Sequence, residues 1–156
     1  MSDYTATVRW SRDGARFTDN RYSRVHRWSF DGGIDVRASA SPLVVPLPLS
    51  SAEAVDPEEA YVAALSSCHM LFFLSLAAKQ GLVVDAYFDQ ARGRMEKDPS
   101  GKLAMTRIVL RPEVRFDGNA PDARTIADLH HRAHEECFLA RSVKTEIIVE
   151  PESPAA

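Results

Sequence analysis

Residues 60–78 are the segment that most limits what this chain can become. Apart from Ser66, Ser67, Cys68, His69 and Ser75, the run is made of Ala, Val, Leu, Met, Phe and Tyr. It begins with strong helix signals: Asp56 as N-cap, Pro57 in the first turn, and Glu58 and Glu59 where the helix dipole favours anions. Gly81, after Gln80, supplies a left-handed stop. A helix apolar nearly all round has to be enclosed on every side. A bilayer would do this, but the Ser-Ser-Cys-His patch falls in mid-run and no aromatic or basic belt flanks it. Protein is the expected cover. A 156-residue chain has one core to offer, so a second copy is expected to supply the other side, giving a homodimer.

Strand signals surround this helix. Residues 4–10 alternate, residues 22–30 carry Tyr, Val, Trp and Phe, and Asp31-Gly32-Gly33 predicts a hairpin turn into residues 34–40. A proline-marked crossing through Pro42, Pro46 and Pro48 leads to the helix. Residues 83–95 and 103–116 then read as a long hairpin around the turn at 97–101. Pro121 and Asp122 open a second helix reaching about Cys137, with Ile126, Leu129 and Ala133 on one stripe, and residues 145–149 form a last strand. The expected order is β-β-β-α-β-β-α-β, an α+β fold in a single domain over 1–151 with a short tail at 152–156.

Acids and bases are interspersed, the formal net charge is -3, and no run of Lys or Arg occurs. Neither nucleic acid nor an anionic membrane is an expected partner. The start, Met-Ser-Asp-Tyr-Thr, lacks the basic and apolar regions of a secretory signal, so a cytoplasmic location is expected. In a reducing compartment two cysteines are a poor structural staple. Redox catalysis or metal binding then stands beside inert burial as their explanation.

Cys68 lies about three turns inside the first helix, too deep for the dipole to acidify its thiol. Its reactivity therefore requires a cation from elsewhere, and Arg12, Arg21, Arg24, Arg27 and Arg37 on the N-terminal strands are the candidates. His69 points about 100° away from Cys68 around the helix and is a poor activator. His130, His134 and Cys137 share a helix face at i, i+4 and i+7, with His131 beside them, a pattern open to zinc or to a histidine-rich surface. Glu58 is ten residues from Cys68, roughly 15 Å along the axis. A shared role needs a partner helix or a bridging arginine; a first-turn dipole partner is the simpler account. Met70, Phe72, Phe73 and Trp28 suit either an apolar pocket or the core.

The segment Asp56-Pro-Glu-Glu-Ala-Tyr-Val-Ala-Ala-Leu-Ser-Ser-Cys-His69, with a second cysteine in Ala133-His-Glu-Glu-Cys137, resembles the OsmC/Ohr family of osmotically inducible and organic hydroperoxide resistance proteins. The resemblance covers most of the chain. It implies antiparallel sheets around buried central helices in an intertwined homodimer with interface sites. It also implies a thiol-dependent peroxidase for organic hydroperoxides. Cys68 would become a sulfenic acid, Cys137 would resolve it as a disulfide, and a thiol or dithiol reductant, such as a lipoyl protein, would recycle it. The family's activating arginine pairs with the first-turn glutamate, here Glu58; Arg24 matches it by its distance from the Asp31-Gly32-Gly33 turn, and Arg12 is the alternative. No cofactor and no metal are implied. A ligand-binding protein of the same fold, with a small lipid-like molecule in the interface pocket, is the other reading.

Overall fold

The computed structural model describes residues 1–152. Two compact units are formed, one of residues Met1–Ala60 and the other from Tyr61 onward.

The first unit holds a three-stranded antiparallel meander, β1 (Ala6–Arg9), β2 (His26–Phe30) and β3 (Asp35–Ala38), with Trp28 opposite both Val8 and Val36. The hairpin falls at Asp31-Gly32-Gly33, where Gly33 takes φ 82° and its N–H donates to Phe30 O. Only glycine adopts that conformation without strain. β2 begins four residues later than the sequence predicts. Tyr22 stacks on Phe17 at 4.6 Å between ring centroids, and the Arg24 N–H donates to Leu49 O, so this stretch is held by a loop instead of a ladder. All four residues of β1 are exposed.

The long apolar helix is α1, Pro57–Lys79. Asp56 caps it as expected: Oδ1 accepts from Glu59 N at 2.7 Å while Glu59 Oε2 accepts from Asp56 N, a reciprocal capping box. At the other end Leu82 N bonds Ala77 O and Gly81 N bonds Ala78 O, with Gly81 at φ 74°, which is the Schellman arrangement. Enclosure on all sides is not what its own chain provides. Leu65, His69, Phe73, Leu76 and Ala77 form one buried stripe, while Leu71 remains 61% exposed. By length and composition α1 could also cross a bilayer. Its mid-helix polar groups nevertheless find partners in the second unit itself, Ser66 donating to Asp89 and His69 meeting His130.

The predicted hairpin of the second unit is present but interrupted. β4 (Val84–Asp89) pairs with β7 (Pro112–Phe116), and β5 (Arg92–Lys97) pairs with β6 (Leu103–Leu110), both antiparallel. Two features account for the break: Pro112 has no N–H for the ladder, and the Arg111 N–H turns to Asp89 Oδ1 on the facing strand at 2.7 Å. A Cβ at Gly93 in β5 would lie 2.6 Å from Val62 Cγ2 and Met105 Sδ, so these side chains would have to shift to admit one.

The second helix is α2 (Ala123–Glu136), capped by Asp122 Oδ1 on Thr125 N, followed by the short α3 (Phe138–Ser142). β8 (Glu146–Val149) returns beside β6 and pairs with it in parallel, because the helical crossover brings the chain back in the same direction; the sheets are antiparallel apart from this ladder. Two apolar clusters hold the unit: Phe73, Leu76 and Ala77 against Val114, Phe116, Leu129 and Ala133, and Leu65 against Ile108 and Leu110. The tail expected at 152–156 lies, except for Glu152, outside the described residues; the Glu152 N–H donates to Pro112 O.

Candidate active site

Position 68 and position 69 of α1 each meet a residue of the α2 segment, two turns apart on it. Cys137 is the C-cap of α2 and the N-cap of α3, with its Sγ accepting from Ala140 N at 3.4 Å. It is 1% exposed, whereas Cys68 is half-buried. The two thiols are free and are neighbours. Burial, first, and then the Cys68 side chain beside it push the Cys137 thiol up to about 11. Cys137 thus keeps its proton at neutral pH. Cys68 is thus the more accessible of two neighbouring cysteines, an arrangement suited to successive oxidation and resolution.

His69 faces the other way. Its Nε2 lies 3.1 Å from His130 Nδ1, the rings are within 5° of parallel, and Phe73 stacks on His130 at 4.3 Å between centroids. Burial lowers His69 to about 3, with His130 and His134 adding to it, and burial lowers His130 to about 4. Both rings are neutral at physiological pH.

The structure separates His130 from Cys137, which the sequence left open as members of one zinc-like pattern. Cys137 turns to Cys68, and His130 turns to His69. Among the described residues no group of three His, Cys, Asp or Glu is placed to hold a metal ion. The His69–His130 pair was missed by sequence reasoning. The available signal was His130 standing seven residues before Cys137 on one helix while His69 follows Cys68 on the other, but no local pattern says that the two helices face each other.

The remaining expected site residues belong to the first unit. The Arg24 guanidinium donates from Nη1 to Asn20 O and Tyr22 O and from Nη2 to Asn20 Oδ1, and it lies 3.8 Å above the Tyr22 ring. Arg12 Nη1 donates to Ala15 O at 2.8 Å. Glu58 Oε2 is buried and finds no hydrogen-bond donor among the described residues. The structure therefore does not pair Arg24 or Arg12 with Glu58. Of the apolar candidates, Phe73 is core, and Phe72 meets Phe138 edge-on at 4.9 Å.

The sequence profile of the OsmC-like proteins matches residues 50–152. The chain belongs to the OsmC-like family. Its fold is that of an OsmC-like protein of unknown function from Vibrio cholerae, 55% identical over 97% of this chain and 100% of that one, with a TM-score of 0.94. An organic hydroperoxide resistance protein OsmC from Legionella pneumophila shares the fold at 13% identity and a TM-score of 0.70, over 99% and 98% of the two chains. The organic hydroperoxide resistance protein OhrB of Bacillus subtilis does so at 17% and 0.64, over 97% and 98%. At those identities the likeness is one of fold. No curated protein matches the chain.

Proposed function

We propose that this OsmC-like protein is a thiol peroxidase for organic hydroperoxides. The observation that carries the reading is the pair of free, neighbouring cysteines with unequal access, Cys68 half-buried and Cys137 sealed. The Cys68 thiolate attacks the terminal peroxide oxygen. The O–O bond breaks, Cys68 becomes a sulfenic acid, and the alkoxide leaves and takes a proton as the alcohol. Cys137 then attacks the sulfenic sulfur, giving the disulfide and water, and a dithiol returns both electrons. Because Cys137 holds its proton, resolution requires that proton to leave during the attack. Arg24 is assigned the thiolate's cation and Glu58 the carboxylate that orients it, by the family resemblance. The buried, partnerless Glu58 Oε2 is consistent with an awaited donor.

A homodimer belongs to the same reading. A three-stranded sheet with β1 wholly exposed, and an α1 that leaves Leu71 open, both lack a cover. A second copy is the simplest source of one. A cytoplasmic location, with thiol reductants at hand, completes the proposal.

Consumption of tert-butyl hydroperoxide with dithiothreitol tests the chemistry. Cys68→Ser is expected to reduce it to the rate without protein. Undiminished consumption by this variant would sink the thiol mechanism.

A further inference from the structure

Two contacts tie α1 to the α2 segment side by side, and the thiol chemistry uses only one of them. Cys68 meets Cys137, and the next residue of α1, His69, meets His130. On α2, positions 130 and 137 are separated by nearly two full turns, so they share a face and lie roughly 10 Å apart along the axis. The helix is unbroken between them, and Cys137 N still donates to Ala133 O at 3.0 Å. A slide or rotation of α2 therefore carries His130 and Cys137 together. A slip of one residue would displace Cys137 by about 1.5 Å.

Most of the contact between the two helices does little to prevent such a slip. Leu129 and Ala133 share an apolar cluster with Phe73, Leu76 and Ala77, and Phe138 meets Phe72 edge-on. Apolar burial is non-directional. The imidazole contact is the one side-chain hydrogen bond between α1 and α2 among the described residues, and it is directional. Its rings are within 5° of parallel, and Phe73 clamps the His130 ring. As a source of stability the pair is poorly chosen. Both rings are almost fully buried, at 1% and 3% exposure, while His69 Nδ1 and His130 Nε2 have no partner among the described residues. A half-satisfied buried polar pair is less stabilising than apolar side chains of similar size, but it specifies one arrangement.

We propose that His69 and His130 are positioning residues for disulfide closure, their hydrogen bond setting α2 on α1 so that Cys137 faces Cys68. The inference rests on the peroxidase reading for its chemistry. In that step the Cys137 sulfur attacks the Cys68 sulfenic sulfur, the S–O bond breaks, and hydroxide leaves and takes the Cys137 proton as water. Closure needs the Cα atoms within about 7 Å, and a misplacement of about 1 Å can slow a reaction by about a hundredfold.

A single turnover of the full-length protein with tert-butyl hydroperoxide separates the two steps, dimedone trapping reporting the Cys68 sulfenic acid and loss of both free thiols reporting closure. In His69→Leu/His130→Leu the sulfenic acid is expected to form at the wild-type rate while closure slows at least tenfold, with stability near neutral pH equal to wild type or higher. His130→Asn keeps a hydrogen-bonding atom where Nδ1 stands; it should be less stable yet close at nearly the wild-type rate. A purely structural pair would show the opposite order. Equilibration of the two thiols with a glutathione buffer makes the same test without peroxide, and the double variant should lower the equilibrium constant for disulfide formation at least tenfold. If wild-type Cys68 yields no sulfenic acid, the peroxidase reading fails and the glutathione equilibrium alone decides the positioning role. Unchanged closure and equilibrium in the double variant, failure of that variant to fold, or a folded His130→Asn that closes no faster than it would overturn the proposal.

Discussion

Cys68 and His69 are consecutive on α1, and each is matched by a residue of the α2 segment, yet the two pairs are built to different ends. The sulfur pair is asymmetric: Cys68 is half-open and Cys137 is sealed at a helix junction. The imidazole pair is sealed on both sides, clamped by Phe73, and held neutral by burial. The same helix thus carries a candidate reaction centre and a polar core contact one residue apart, because the 100° step per residue turns adjacent side chains to different surroundings. Proximity to a histidine in sequence is no guide to what activates a cysteine. Exposure and the identity of the facing group are.

Acid gives the largest expected separation between the two pairs. Folded His69 and His130 titrate near 3 and 4, whereas unfolded histidine titrates near 6.5. Below pH 6.5 the unfolded chain therefore binds protons that the folded chain refuses, and stability falls as the pH falls. Between pH 6.5 and 5 the two rings together should shift the folding equilibrium by about two orders of magnitude, read from denaturant melts. The double variant His69→Leu/His130→Leu should flatten that slope; an unchanged slope would break the claim that the pair is neutral. At the sulfur pair, Cys137→Ser should leave one-turnover oxidation of Cys68 intact and cut dithiol-supported turnover by about a hundredfold, roughly 2.7 kcal/mol. Mass spectrometry of dimedone-trapped protein would then show a persistent sulfenic acid. If the variant turns over normally with a monothiol or a dithiol, Cys137 is not the resolving residue. The smallest effect is expected at the arginine. Arg24→Gln should slow the reaction of Cys68 with hydroperoxide by about tenfold, on the order of 1.4 kcal/mol, while Arg12→Gln leaves it unchanged. Reversal of that order in stopped-flow measurements would move the assignment to Arg12.

Where the chain states its intentions locally, the sequence was readable. Asp56 and Asp122 cap their helices through their own side chains, and Gly81 ends α1 with a left-handed residue, since these are interactions within four or five positions. The hairpin at Asp31-Gly32-Gly33 was legible for the same reason. The strand break at Asp89 and Pro112 was harder, because the residue that diverts the Arg111 N–H sits on the opposite strand, 22 positions away. The parallel entry of β8 beside β6 and the delayed start of β2 also depend on distant backbone partners. In the candidate site the sequence singled out both cysteines and Glu58, but it left open what His130 faces, because His69 is 61 positions away.

What the sequence determined by itself is the meander, the two long helices and the last strand, the apolar helix in need of cover, and the family through its cysteine segment; the division of the long hairpin into four strands and the short α3 were not among them. Period, capping and turn chemistry are short-range, and residues that obey them announce themselves. What only the tertiary structure decided is which side chains share a surrounding: that the sulfurs at 68 and 137 are neighbours, that His69 and His130 form a sealed neutral pair, and that Glu58 Oε2 is left without a donor. Those outcomes depend on how one helix is rotated against another. Burial acts on charge and hydrogen bonding only after that rotation is set.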